Sequence, residues 1–148
     1  MAKRFIDGQE VTSSAFLEAV GTVSESGGVP TGAIIESGSN ANGNYIKYAD
    51  GTMICTKRES ITLDINLSNN VLYRSGEVSA RSFPATFSSI PVTHISIEGG
   101  GDGNISWIVS DATTAPTVSA WGSFQVIDTS SATAVTYFYC FMAIGRWY

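Results

Sequence analysis

The chain has 148 residues, enough for one ordinary domain and a short appendage without metal or disulfide staples. Hydrophobic residues make up 43% and charged residues only 14%, which excludes a disordered chain and points to an oligomer, because a monomer usually covers its surface with charge. A net charge of −5 with eight scattered Lys and Arg gives no basic footprint for nucleic acid, and no apolar run is long enough to span a bilayer.

Met1-Ala2-Lys3-Arg4 leads into Phe5-Ile6-Asp7-Gly8 rather than an apolar signal core, as expected of a chain made and folded in the cytoplasm. From Asp7 to Val20 a short turn precedes one small predicted helix, with Thr12 or Ser13 as N-cap and Phe16, Leu17 and Val20 at helical spacing. Gly21 to Gly28, closed by Pro30, reads as a linker, and Ser37 to Asn44 as a loop of Ser, Gly and Asn. Tyr45-Ile46-Lys47-Tyr48 and Met53-Ile54-Cys55 then flank Ala49-Asp50-Gly51-Thr52. An Asp-Gly between two strand-like runs predicts a hairpin.

Short runs rich in β-branched and aromatic residues follow: Ile61 to Leu67, Val71 to Tyr73, Val92 to Ile97, Ile105 to Val109, Gly122 to Ile127 and Ala134 to Ile144. Strands of this spacing with no helical period predict a sandwich or barrel. Ile95 and Ile97 share a face and are expected in the core. Both alternating faces of Val135 to Ile144 are apolar or aromatic, so one is expected to fill the core and the other to meet a second copy. The sequence leaves open which face does which. Tyr137, Tyr139, Phe141 and the near-terminal Trp147 are the candidate interface residues.

Catalysis finds little to work with. His94 is the only histidine, there is no CxxC, and Asp64, Glu77, Glu98, Asp102, Asp111 and Asp128 are spread over separate turns. No catalytic residue, metal site or cofactor is expected. Cys55 and Cys140 lie in strand-like runs and are expected as buried reduced thiols. Glu98-Gly99-Gly100-Gly101-Asp102-Gly103-Asn104 joins strand to strand and lacks the Lys and helix of a phosphate loop. Its hard oxygens could ligate calcium, although a plain acidic turn is the simpler reading. Candidate ligand contacts are Trp121, Trp107, Asp102 and Asn104, since sugar rings stack on aromatics while polar neighbours satisfy their hydroxyls. Trp121 follows the turn Thr114-Ala115-Pro116-Thr117 and is the best exposed candidate; Trp107 alternates with Ile105 and Val109, as a core residue would.

Two stretches resemble bacteriophage tail-fibre proteins. The block from Gly38 to Cys55, Gly-Ser-Asn-Ala-Asn-Gly through Ala49-Asp50-Gly51-Thr52, is similar to segments that recur ahead of the C-terminal domain of phage and prophage fibres. The C-terminal pattern, with Phe83-Pro84, Phe87, Ile90-Pro91-Val92, Gly122-Ser123-Phe124 and Ala143-Ile144-Gly145, resembles the H-type lectin-like sandwich at the tips of such fibres, typically a trimer. Phe5 to Leu17 is also similar to the fibre N-termini that attach to the particle. The resemblance implies residues 1–30 as attachment segment and linker, 31–58 as a hairpin collar and 59–148 as an antiparallel β-sandwich. It implies a homotrimer on the virion, joined through its N-terminus to a baseplate or capsid protein and binding a host cell-surface carbohydrate. A head fibre or decoration protein without sugar binding is the alternative. The Trp-His pair and Arg with which animal H-type lectins hold sugar have no counterparts here: Thr129 to Thr133 carries no Trp-His and Ile105 to Ser110 no Arg.

Overall fold

A computed structural model describes residues 4–6, 9–11, 20–101, 103, 105–110 and 113–148, the first two segments as backbone only. The chain is mainly β, and no helix occurs among the described residues. The expected helix, capped by Thr12 or Ser13 and carrying Phe16, Leu17 and Val20, lies outside them except for Val20, which forms a parallel bridge to Ile35 instead. β1 (Arg4–Ile6) and β2 (Gln9–Val11) pair with each other. β3 (Val23–Ser26) and β4 (Val29–Gly32) form a second hairpin where a linker was expected. Gly27 and Gly28 between them both take positive φ, 61° and 81°, the geometry that lets a two-residue turn follow the strand twist.

β5 (Ile35–Asn40), β6 (Gly43–Tyr48) and β7 (Thr52–Asn69) come next. The hairpin at Asp50-Gly51 forms as the sequence predicts, with Tyr45 opposite Cys55 and Lys47 opposite Met53. The Asp50 carboxylate accepts the Thr52 N–H at 2.8 Å. The expected loop at Ser37 to Asn44 is instead the strand β5 and its turn. Gly38 pairs with Tyr45, and the phenol ring lies over the space a side chain there would need. The asparagines close the turn: Asn42 N–H donates to Asn40 Oδ1 at 2.8 Å, and Asn40 Nδ2 donates to Pro84 O at 2.9 Å.

β7 runs on through 58 and 59 without a break, so the hairpin and the C-terminal half share a strand. The remaining strands are β8 (Leu72–Ser75), β9 (Arg81–Ser82), β10 (Val92–Gly100), β11 (Ser106–Ser110), β12 (Ala120–Trp121), β13 (Phe124–Asp128) and β14 (Ala132–Arg146). The main sheet has the order β10-β14-β7-β8-β13-β11, with β6 and β5 added on β7. Every ladder in it is antiparallel, and it curls into a half-barrel. The short β9–β12 pair stands apart from it.

The core fills the concave side. Val135, Tyr137, Tyr139, Phe141 and Ala143 of β14 all face it, with Phe124 and Val126 of β13, Met53, Cys55 and Ile65 of β7, and Trp121, Phe83 and Phe87 from the β9–β12 side. Edge-to-face contacts link Phe83 to Trp121 at 4.5 Å and Trp121 to Phe141 at 5.5 Å between ring centroids, geometry that aromatic quadrupoles favour. Ile95 and Ile97 pack against this cluster as expected. Burial pushes the Cys55 thiol up to about 11, in keeping with a reduced, inert sulfur.

Candidate functional site

Two surfaces are left over once the core is accounted for. The first is the convex face of β10, β14, β7 and β6. Cross-strand register sets Val92, Ile144, Ile54 and Ile46 side by side in one row, and His94, Met142, Thr56 and Asn44 in the next. Val92 is 79% exposed, Phe138 46%, Ile144 42% and Met142 39%. A water-facing side of an antiparallel sheet normally alternates to polar residues. Further along, the face does turn polar: Cys140 lies between Ser96 and Arg58, and Arg58 Nε meets Glu98 Oε2 at 2.7 Å.

This geometry corrects the expected interface. Tyr137, Tyr139 and Phe141 are 1%, 0% and 0% exposed because they share the parity that faces the chain's own core. The unburied side belongs to Phe138, Cys140, Met142 and Ile144. Trp147 is half-buried against the hairpin turn, where its indole N–H donates to Tyr48 O at 2.8 Å and its backbone N–H to Gly51 O at 3.0 Å.

The second surface is the seam where the curled sheet fails to close. β10 has β14 as its one neighbour and β11 has β13, so each turns an unpaired edge toward the other among the described residues. Two cavities of ≈ 220 Å³ and ≈ 270 Å³ lie along this seam and share Ile95 and Ile108. The first also takes in Thr93, Ser110, Ser123 and Phe124. The loop from Thr114 to Pro116 folds over it, held by Ser123 N–H donating to Thr114 O at 2.9 Å. Gly122 allows that approach, since a side chain there would strike Thr114 O and Pro116. Ser123 Oγ is buried and has no hydrogen-bond partner.

The expected ligand residues divide. Trp121 is fully buried, and its indole N–H donates to Met142 O at 3.1 Å. It is a core residue, since β12 turns it inward against Phe83 and Phe141. Trp107 corrects the other way: 38% exposed beside Ile105 and Val109, it lies in a convex row with Ile127, Arg74 and Leu67. The inward residues of β11 are Ser106 and Ile108. Asp102 and Asn104 lie outside the described residues; Glu98, the remaining acidic residue of that turn, is engaged by Arg58. No cluster of metal-ligating side chains occurs among the described residues.

Two acidic groups have partners that the sequence did not indicate, the buried Asp128 and the half-buried Glu59, and both are structural. The Asp128 carboxylate, 0% exposed, accepts Ser106 Oγ at 2.5 Å, Ser130 N–H at 3.0 Å and Tyr137 O–H at 3.3 Å. Burial pushes its pKa up, but the bonds from Ser106, the Ser130 and Thr129 amides and Tyr137 outweigh that and hold it below the usual carboxylate range. On β7, Glu59 receives Arg81 at 2.7 Å and Lys57 at 3.1 Å, so its pKa is likewise lowered against the effect of burial.

The chain matches no protein-family model, no curated protein and no solved structure.

Proposed function

We propose that the chain is the protomer of a short homotrimeric phage-type fibre. Residues 1–30 attach it to a baseplate or capsid protein of the virion, and its C-terminal half binds a host cell-surface carbohydrate. The observation that carries this reading is the apolar convex face: Val92, Phe138, Met142 and Ile144 expose large side chains on a sheet whose other side is already packed, the signature of a surface that meets its like. The fibre resemblance of Gly38 to Cys55 and of the C-terminal pattern supplies the rest. On this reading the curled sheet, with β9, β12 and the 83–91 segment over its concave side, is a variant of the H-type lectin-like sandwich. Sedimentation of the purified chain tests the assembly, with a trimer expected and a monomer refuting it.

The burial of Trp121 favours a second reading, a structural head fibre or decoration protein that assembles by the same face and binds no sugar. Adhesion to host cells by the intact oligomer separates the two.

A further inference from the structure

The seam between β10 and β11 has the chemistry of a small, specific site. Paired strands lie about 4.8 Å apart, so a third strand inserted between two others needs about 9.6 Å. β10 and β11 form no ladder, yet their Cα atoms approach within 8 Å. The seam is too open to pair, and at its closest approach it is narrower than an inserted strand needs. What fits is a compact group the size of one ring, in the cavity of ≈ 220 Å³.

The lining specifies that group further. Ile95 and Ile108 supply an apolar floor with the buried Phe124 behind it, and Thr93 and Ser110 bring hydroxyls to the same space, with the buried Ser123 beside them. Among the described lining residues no Asp, Glu, Lys or Arg is present, and His94 shares the parity of the convex face. Such a wall offers hydrogen bonds without net charge, which disfavours an ionised ligand. The unpaired edges of β10 and β11 add backbone donors and acceptors. Ser123 adds to this: its buried hydroxyl has no partner, which costs stability, and the residue is among those that line the cavity. A ligand hydroxyl that reached it through a small shift of the 114–116 loop would remove that cost.

The geometry points to a binding site in the β10–β11 seam for a neutral saccharide ring, whose C–H face lies on Ile95 and Ile108 and whose hydroxyls pair with Thr93 and Ser110 and, once the 114–116 loop gives way, with Ser123. The site rests on the receptor-binding reading above and names where and what that receptor contact is.

The test is an amide-shift titration of the intact protein with methyl glucoside, methyl galactoside and N-acetylglucosamine, with glucuronate as the charged probe. At least one neutral sugar shifts residues 93–95, 108–110 and 114–124 together, and glucuronate binds at least roughly tenfold more weakly. Ser123→Ala weakens the neutral sugar roughly 3- to 10-fold without lowering Tm, as a purely structural hydroxyl would not. Ser110→Trp, at an exposed position, fills the groove and abolishes binding. Shifts clustered elsewhere, as around Trp107, or no shift from any neutral sugar, overturn the site. Host cells bound equally by wild type and Ser110→Trp overturn it too, but leave the receptor reading standing. Groove shifts in a protein that adheres to no cell support the site and overturn that reading instead.

Discussion

Replacing Asp128 with Asn keeps the shape of the buried carboxylate and removes its charge, so the change isolates the charge-assisted bonds. In the native chain Asp128 accepts Ser106 Oγ at 2.5 Å and Ser130 N–H at 3.0 Å, with Tyr137 O–H more distant at 3.3 Å. A hydrogen bond to a charged group is worth roughly 1 kcal/mol more than a neutral one, so two close bonds put the loss at about 2 kcal/mol at neutral pH. For a chain of this size that is a fall in Tm of about 4–8 °C. The pH dependence follows from the lowered pKa. A carboxylate depressed on folding contributes fully above its unfolded pKa of about 3.9, and that contribution is lost as pH falls through the folded value. Urea unfolding of both proteins across the acid range therefore shows their stabilities converging as pH drops. A gap that does not narrow as pH falls below the unfolded value of about 3.9, or an Asp128→Asn protein as stable as wild type at neutral pH, would falsify this account of the network.

Met142→Lys places a charge in the middle of the apolar convex face. The exposed fractions of Val92, Ile144, Met142, Phe138 and Ile46 make burial against a copy worth about 4–7 kcal/mol per protomer. An unpaired buried charge raises the dissociation constant at least roughly 100-fold, so sedimentation shows monomers whose far-ultraviolet dichroism matches wild type. A Met142→Lys protein with unchanged mass removes this face from the assembly. Gly43→Ala acts on the Asn-rich turn: φ is 129° there, and a side chain would strike Thr56 O. The backbone strain alone costs about 2–3 kcal/mol, read as a lower urea midpoint; an unchanged midpoint contradicts the turn geometry.

The strands of the C-terminal half were legible because their β-branched and aromatic runs are separated by strong turn residues. The hairpin at Asp50-Gly51 was legible because that dipeptide has few other uses between strands. What the alternation could not supply is which parity faces inward. Trp107, Ile105 and Val109 were correctly grouped, but Ser106 is drawn inside by Asp128 and Tyr137, which turns Trp107 out. The same ambiguity misassigned Tyr137, Tyr139 and Phe141, since both faces of β14 are apolar in sequence and only the partners of β14 distinguish them. Trp121 was misread because β12 has two residues, too few for a period, and because a neighbouring turn says nothing of the direction of a side chain. Ser37 to Asn44 reads as loop by composition, yet Gly38 is there to admit the Tyr45 ring. The seam had no signal at all, because Thr93 and Ser123 are brought together only by the curl of the sheet.

β14 lies between β7 and β10, and its register joins Thr52 to Arg146. During synthesis β7 therefore emerges long before the strand that will cover one of its edges, a wait of about 5–20 s at ordinary elongation rates. Through that interval its long edge, and later that of β10, can pair with whatever strand is near. Sheets dominated by such distant pairings also fold slowly. Nascent chains on one polysome meet at high local concentration in this period, so the same topology that centres β14 in the finished sheet makes cellular yield depend on how often early edges find the wrong partner.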